Sequence, residues 1–344
     1  MKERIVFFTM YNKKLHWFAS FTAACTGILI FIGGLVTSTN SGLSVPDWPT
    51  TFGENMFTYP LHKWVGGVQY EHGHRLFASF VGLLMVLLTI TVWKVEKRKW
   101  VKILTYFALF AVILQGVLGG VTVLLKLPPA VSIAHGMLAQ SFFCLVTCVA
   151  LFTSRWWFES KEIVAQPESS TVLKYFLAAV IVVFTQLFFG ALLRHTYSGL
   201  AIPDFPLSYH QLVPSISDDQ LSAYNQHLIA LGIKHPADRP VMAYQIVVHF
   251  IHRSWAYVAA VVVFLAGYKM STSSFSHFLR RLGKMLIGIV ATQFLLGVLT
   301  VLTQKNVVIT TAHVFLGAVT LMLTVVLAVM AGKVRNDSAM EEIP

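Results

Sequence analysis

Charged residues are scarce in this chain of 344 residues: only 12% are Asp, Glu, Lys or Arg, whereas 56% are hydrophobic. A soluble domain carries roughly twice that share of charge, so the composition excludes one. Cysteine is scarce as well, and all three cysteines, Cys25, Cys144 and Cys148, lie within apolar runs. A disulfide framework in the loops is therefore not expected. No small-residue cleavage site follows the first apolar run, so that run is predicted to be a true span rather than a signal peptide.

Long apolar runs dominate what is present. Each is about 20 residues long, which is enough to cross a bilayer as a helix. A β-barrel would instead show short strands of alternating hydrophobicity. The sequence therefore predicts an all-α polytopic membrane protein in a lipid bilayer. The eight predicted spans are residues 16–37, 73–93, 102–125, 132–153, 173–193, 245–268, 283–303 and 307–331.

The net charge of +11 follows membrane topology rather than a nucleic-acid surface. Lys and Arg concentrate before the first span and in alternate connections, such as the one at residues 94–102. Excess Lys and Arg mark cytoplasmic loops. Both termini are therefore predicted to be cytoplasmic, in agreement with an even number of spans, and no nucleic-acid partner is expected.

An internal repeat is visible in two outer loops. Residues 42–49 read Gly-Leu-Ser-Val-Pro-Asp-Trp-Pro, and residues 199–206 read Gly-Leu-Ala-Ile-Pro-Asp-Phe-Pro, an offset of 157 residues. Later matches, such as His74-Arg75 with His252-Arg253, have an offset of 178, so the second copy holds 21 additional residues. This insertion is predicted to lie around residues 208–240.

The repeat predicts two pseudo-symmetric four-helix bundles that keep the same orientation, because four spans separate equivalent residues. We place the first half at residues 1–160 and the second at residues 161–344, with an extended outer loop at residues 207–244. The polar connection at residues 159–171 contains Pro167 and forms the predicted boundary. The halves are expected to share an interface rather than to fold independently.

Four histidines lie at repeat-equivalent positions near the outer ends of even-numbered spans. The two even-numbered helices of one bundle both begin at the outer face, so their imidazoles lie at a similar depth and can face each other across the interior. This geometry suits a heme iron, which takes axial ligands on opposite faces of a flat ring, and nearby glycines such as Gly119 and Gly297 would let that ring approach the backbone. The alternatives are interhelical hydrogen-bonding residues or a zinc site, although no Cys, Asp or Glu completes a zinc set in the second copy. The histidines are His74 and His135 in the first half, and His252 and His313 in the second.

The two copies differ three residues before the first histidine, where Glu71 in the first half corresponds to His249 in the second. A carboxylate beside a metal site can relay protons or stabilise a developing cation. It can equally be a helix-start carboxylate paired with Arg75 at i+4, and the sequence leaves both roles open. Arg75 and Arg253 are each expected to contact a porphyrin propionate, because Arg binds carboxylates with two parallel hydrogen bonds.

Taken together, these motifs resemble heme A synthase, the bacterial and mitochondrial enzyme that makes the heme of cytochrome oxidase. The resemblance covers essentially the whole chain. Its carriers are Gly33–Val36 with the loop Asn40–Pro49, Glu71-x-x-His74-Arg75, Gln115–Thr122, His135-Gly136, Gly199–Pro206, His252-Arg253, Gln293–Thr300 and His313.

The resemblance implies that the C8 methyl of heme O is oxidised to a formyl group, giving heme A, through successive hydroxylations. It implies a substrate site at His74 and His135, an essential carboxylate at Glu71, and a heme b held by His252 and His313. Delivery of heme O by heme O synthase and a place in the bacterial cytoplasmic membrane are also implied, and a homo-oligomer is allowed.

One departure and two rival classes accompany this interpretation. Many family members carry a cysteine pair in the first outer loop, where this chain has Asp47 and Trp48, so a thiol role lacks a candidate residue there. A di-heme b-type cytochrome that passes electrons from quinol is the main alternative. A transporter built on parallel repeats is the other. The sequence identifies neither the electron acceptor nor the source of the inserted oxygen.

Overall fold

The structure, a computed structural model, describes residues 11–159, 168–233 and 239–341, with side chains up to Val334. Within those ranges the chain is almost entirely helical, and its only β-type pairing is two isolated bridges. Eight of the described helices are long and apolar enough to cross a membrane, which confirms the predicted all-α polytopic class. The helices are α1 (Lys13–Ser38), α2 (Gly67–Val95), α3 (Lys99–Leu124), α4 (Pro129–Phe152), α5 (Arg155–Glu159), α6 (Ser169–His195), α7 (Asp218–Ala230), α8 (Ala243–Thr272), α9 (His277–Leu302) and α10 (Val307–Glu341).

Local signals set several helix ends. The side chain of Asn12 accepts a hydrogen bond from the Leu15 N–H at 3.1 Å and so caps α1. Pro129 occupies the first turn of α4, where its missing N–H costs nothing. The Ser276 hydroxyl accepts from the Leu279 N–H and caps α9 at its inner end.

The second span begins earlier than its apolar run suggests. The apolar run predicts a start at residue 73, but α2 begins at Gly67. The hydropathy criterion misses its first turns because Glu71 and His72 are polar, yet both side chains are buried beneath the first outer loop. The earlier start matters for the site, because it places His74 inside α2 rather than at its end.

The first four spans pack as a ring. α2 packs against α1 and α3, and α4 packs against α3 and α1. α2 and α4, which carry His74 and His135, therefore lie on a diagonal of the ring. The main cluster of buried apolar side chains, which includes Met85, Leu88 and Val149, fills the inner half of this ring.

The last four spans repeat this arrangement. α8 packs against α6 and α9, and α10 packs against α9 and α6, so α8 and α10 form the second diagonal. The buried cluster here includes Phe176, Leu286 and Leu327 and again lies towards the inner ends of the helices. In both rings the histidines lie beyond this core, in the outer half.

The two rings meet along one face, where α10 contacts α1 and α4, and α4 contacts α6. These contacts are of the kind expected if the halves share an interface. The predicted boundary at residues 160–161, together with Pro167, lies outside the described residues. The division into two pseudo-symmetric bundles stays a prediction, which the helix contacts support.

The outer loops repeat in detail up to the insertion. An antiparallel bridge joins Thr51 to Glu54 in the first loop, and the equivalent bridge joins Ser208 to Gln211 in the second. The insertion therefore begins after Gln211, slightly later than predicted, and in the described part it contains α7. Tyr224 and Leu228 of α7 are buried in a small apolar cluster beside the start of α8.

Candidate functional site

Each of the four histidines lies well inside its helix. They are the eighth residue of α2, the seventh of α4, the tenth of α8 and the seventh of α10. At 1.5 Å per residue they lie about 9–14 Å from the outer helix ends. They therefore lie about two helical turns from those ends, in the outer part of each span.

A glycine of the preceding span lies against the ring of each histidine. A Cβ atom built on these glycines would lie 3.0–3.2 Å from the imidazole Cε1, tighter than an ordinary contact. Any larger residue would move the ring, so these glycines determine where the imidazoles lie. We call them the glycine seats. The pairs are Gly33 with His74, Gly119 with His135, Gly190 with His252, and Gly297 with His313.

The expectation that nearby glycines let a porphyrin ring approach the backbone stays a prediction. Gly119 and Gly297 lie against imidazoles, whereas a Cβ on Gly136 would meet open space. Gly120 is covered by the Trp48 side chain, and Gly317 is approached by the side chains of Leu187 and Gln293.

The histidines of each half lie on the diagonal helices of their ring. His74 and His135 are within electrostatic range of each other in the first ring, and so are His252 and His313 in the second. The Nδ1 atoms of His74 and His135 are buried without a hydrogen-bond partner. Buried polar atoms are rarely left unpaired, so these imidazoles keep capacity for a further partner.

Glutamines accompany the pairs. The Gln293 carbonyl oxygen accepts a hydrogen bond from His313 Nδ1 at 3.2 Å, which leaves Nε2 as the nitrogen free to ligate. The Gln115 side chain lies 3.3 Å from His135 Nε2. Gln186, which sequence inspection missed, lies 3.3 Å from His252 Nδ1 and donates to the His252 carbonyl. The lone amide in an apolar span was the signal that could have identified it.

These features fit a heme whose iron would be held by the two imidazoles in the outer half of each ring. The main buried clusters lie in the inner half, and a seat glycine lies against each imidazole of a pair. The described residues contain no group of three or more His, Cys, Asp or Glu side chains placed to hold an ion, as a zinc site requires. Heme iron needs only two protein ligands.

Glu71 attaches the first outer loop to α2. Its Oε2 accepts a hydrogen bond from the Val45 N–H at 2.9 Å, and its Oε1 accepts from Arg75 at 2.7 Å. The equivalent contact exists in the second half, where His249 Nδ1 accepts from the Ile202 N–H at 3.1 Å. The loop contact therefore needs a hydrogen-bond acceptor but not an acid. The predicted i+4 pair is confirmed, and the carboxylate has a structural role in addition to any chemical one.

Arg75 is fully engaged with that loop. Its Nη1 donates to the carbonyl oxygens of Asp47 and Thr50 at 2.7 and 3.2 Å, and its Nη2 donates to the Val45 carbonyl at 2.8 Å. Together with Glu71, these acceptors occupy both terminal nitrogens. A contact between Arg75 and a propionate stays a prediction, and it would require one of these hydrogen bonds to be shared.

Arg253 is engaged less completely. Its Nη2 donates to the carbonyl oxygens of Pro206 and Leu207 at 3.1 and 3.0 Å. Its Nη1 is buried without a partner, and its guanidinium lies over the Phe205 ring. The second half therefore keeps a buried cationic donor where the first half has none, and Arg253 is the better placed of the two arginines for a carboxylate ligand.

The remaining histidines divide between surface and packing positions. His72 is fully buried, shares a hydrogen bond with Thr51 at 3.0 Å and packs edge-on against Trp64. His16 lies 3.0 Å from the Ala150 carbonyl, and both it and His195 are half-buried. His62, His210, His227 and His277 are exposed, and His235 lies outside the described residues.

Comparison with known proteins places the chain in a family. Residues 16–326 match the COX15-CtaA family, described as cytochrome oxidase assembly protein. Heme A synthases of Alkalihalophilus pseudofirmus and Halalkalibacterium halodurans are each 30% identical, over 60% of this chain and 68% of their own length. The heme A synthase of Bacillus cereus is 27% identical over 73% of this chain and 84% of its own length. With most of its length matched, the chain belongs to the COX15-CtaA family of cytochrome oxidase assembly proteins.

Proposed function

We propose that this protein is a heme A synthase, a membrane oxidoreductase that converts the C8 methyl of heme O to a formyl group. The observation that carries the proposal is a pair of histidines on the diagonal helices of each ring, in its outer half, with a seat glycine against each imidazole. The names of the similar proteins support it. The reaction belongs to the biosynthesis of the heme of cytochrome oxidase, as the family description indicates.

The two halves have different roles in this proposal. His74 and His135 would hold the iron of the substrate heme O, and His252 and His313 would hold a resident heme b, with Arg253 on a propionate. A bound heme b supplies one-electron redox chemistry, which an oxidation of the substrate requires. The family resemblance implies this assignment, and the single acidic side chain at the first pair, Glu71, supports it.

Glu71 is the residue that we expect to handle a proton or a developing positive charge in the substrate half. It lies three residues before His74 on the same helix, so the two side chains share a face. The Val45 N–H and Arg75 hold its carboxylate in one orientation. A carboxylate fixed in this way can accept a proton or stabilise a cation at the edge of the substrate without reorganising.

The setting of the reaction follows from the same interpretation. We place the protein in the bacterial cytoplasmic membrane, with both termini in the cytoplasm and both histidine pairs near the outer face. Heme O would come from heme O synthase, which makes that enzyme the proposed partner.

The test is conversion together with heme content. Expression in a strain that lacks heme A should restore heme A, and the purified protein should carry heme b with some heme O or heme A, resolved by extraction and chromatography. Purified protein with heme b alone, and no restored heme A, would instead support a di-heme cytochrome. Purified protein without a Soret band would remove heme chemistry altogether.

A further inference from the structure

We infer that Arg194, Lys305 and Arg253 form a cationic seat at the outer rim of the second half, which binds the two carboxylates of the heme held there. We call this group the rim cations. The first half has no such seat, so the two halves would hold their hemes with different strength. The inference rests on the proposed function, because it assumes a heme at His252 and His313.

Arg194 reaches the rim from the last turn of α6. Its Nη2 donates to the Gly34 carbonyl at 3.2 Å and to the Ser38 hydroxyl at 3.0 Å, both on α1 in the other half. It also lies within electrostatic range of His313. A guanidinium has five N–H donors, so these two contacts leave capacity for an anion.

Lys305 lies in the short connection between α9 and α10, with its stem against Gly199. Its side chain is exposed at the rim, and its ammonium group lies within electrostatic range of Arg194. The two like charges repel each other, and an anion bound between them would offset that repulsion.

Arg253 completes the group. Its buried Nη1 has no hydrogen-bond partner, and His249, its neighbour on α8, is within electrostatic range of both Arg253 and Lys305. The nearby carboxylate is Asp204, whose oxygens accept hydrogen bonds from the backbone N–H groups of Tyr209 and His210. Among the described residues no carboxylate lies within ion-pair distance of any rim cation.

The repeat shows that these cations are specific to the second half. At equivalent positions the first half has Thr37 for Arg194 and Leu127 for Lys305. The Leu127 stem packs near Gly42 as the Lys305 stem packs near Gly199, so the two side chains occupy corresponding places.

The equivalent of Arg253 is Arg75, whose charge is balanced by Glu71 at 2.7 Å. The first rim is therefore close to neutral, whereas the second has three cations with one nearby carboxylate, Asp204, and stays net positive. Two propionates would gain charge-assisted hydrogen bonds at the second rim that the first cannot offer. A resident heme would stay bound in the second half, whereas a substrate heme could leave the first as product.

The rim cations also bear on redox potential. Positive charge near a heme stabilises the state with the additional electron, so removing one of these charges should lower the midpoint potential. This readout does not depend on heme A formation, so it can be measured whether or not the protein is active.

The test replaces rim cations of the second half with the residues found at the equivalent positions of the first half. Lys305→Leu and Arg194→Thr introduce the first-half residues, and Lys126→Leu is the matched control, because Lys126 is an exposed cation on the equivalent connection of the first half. Heme b should dissociate roughly tenfold faster from each rim variant, the factor expected for one charge-assisted hydrogen bond, with a lowered midpoint potential. The control should match the unaltered protein.

The possible outcomes distinguish failure of the proposed cationic seat from failure of the proposed function. Should Arg194→Thr fail to fold because α1 loses its contact, Lys305→Leu decides, since its side chain makes no such link. Unchanged heme retention and potential in Lys305→Leu would overturn the seat while leaving the proposed function standing. Absence of heme b from the unaltered protein would instead remove the proposed function, and the seat with it.

Discussion

At the scale of single residues, Glu71 combines a structural and a chemical candidate role. Its carboxylate holds the first outer loop through the Val45 N–H, and the equivalent His249 does the same for the second loop with a neutral nitrogen. The loop contact can therefore be preserved while the acid is removed. This makes the two roles separable by substitution.

Glu71→Gln and Glu71→His should both keep the loop in place, because an amide oxygen or an imidazole Nδ1 can accept from the Val45 N–H. Both should lower heme A formation by roughly 100-fold or more, the range expected for loss of an acid–base group. Heme O should accumulate in the purified protein, measured by extraction and chromatography.

Glu54→Gln is the matched control, since Glu54 is an exposed carboxylate in the same loop and pairs only with Lys63. It should leave heme A formation intact. If Glu71→His makes heme A at the normal rate, the residue only fastens the loop and takes no part in the chemistry.

The glycine seats give a second prediction at this scale. Gly297→Ala would place a Cβ 3.0 Å from the Cε1 of His313 and push the imidazole from its place, at a cost of about 1–3 kcal/mol. We expect the variant to lose most of its heme b, as seen in the pyridine hemochrome spectrum. Gly288→Ala, on the same helix and facing open space, should retain it. Equal heme b in both variants would mean that the seat does not position the ligand.

The sequence was informative about the histidines and less so about what surrounds them. A repeat offset of 178 residues relates His74 to His252 and His135 to His313 directly. The glycine seats at Gly33 and Gly190 were not recognised as such, although they are related by the other offset of 157. Which residue a glycine faces depends on helix rotation, and composition does not record that.

At the scale of helices and connections, the inner turn between α2 and α3 is held by one buried carboxylate. Glu96 accepts hydrogen bonds from the backbone N–H groups of Lys97 and Arg98 and from the Arg98 side chain. Arg98 also donates to the Phe152 carbonyl at the end of α4. The turn therefore links three spans.

The free energy of unfolding should decrease at acidic pH because of the interactions in this turn. Burial alone would raise the pKa of Glu96, but the hydrogen bonds and charge of Arg98 outweigh it and lower the pKa below its ordinary 4.5. A carboxyl with a lowered pKa in the folded state stabilises above its ordinary value and loses that contribution as the pH falls through the folded pKa. Thermal unfolding in detergent should show this loss.

Glu96→Gln should be less stable near neutral pH by about 1–2 kcal/mol, since the charged acceptor is gone. Its unfolding temperature should change less with acidification than that of the unaltered protein. Glu159→Gln serves as the control, because Glu159 is an exposed carboxylate on the same side. Parallel pH profiles for Glu96→Gln and the unaltered protein would contradict the assignment.

Helix existence was predicted well from apolar runs, and most helix starts agree within a turn, but the start of α2 does not. α2 extends further outward than its apolar run because Glu71 and His72 are sheltered by loop contacts rather than by lipid. Hydropathy assumes that a polar residue needs water, whereas here backbone N–H groups and neighbouring side chains satisfy it.

At the scale of the whole molecule, the charge distribution predicts which face of the protein is cytoplasmic. The connections rich in Lys and Arg should be cytoplasmic, which places the first outer loop outside. Leu61 in that loop and His277 at the start of α9 are both exposed and lie on opposite sides of the spans.

Leu61→Cys should react with a membrane-impermeant maleimide in intact cells, and His277→Cys should react only after the cells are opened. The three native cysteines are buried within spans, so background labelling should be low. Labelling of His277→Cys in intact cells, with Leu61→Cys protected, would invert the topology and move both heme sites to the cytoplasmic face.

The solid inner half of each ring has a consequence for how the protein is made. Its packing involves none of the four proposed iron ligands, so we expect the bundle to close and remain in the bilayer before any tetrapyrrole arrives. Heme would then bind late, from the outer face of the membrane. The inner halves of both helix rings would already be packed at that stage. We expect chains that lack a ligand imidazole to accumulate at normal levels as colourless apoprotein, rather than to be cleared as misfolded.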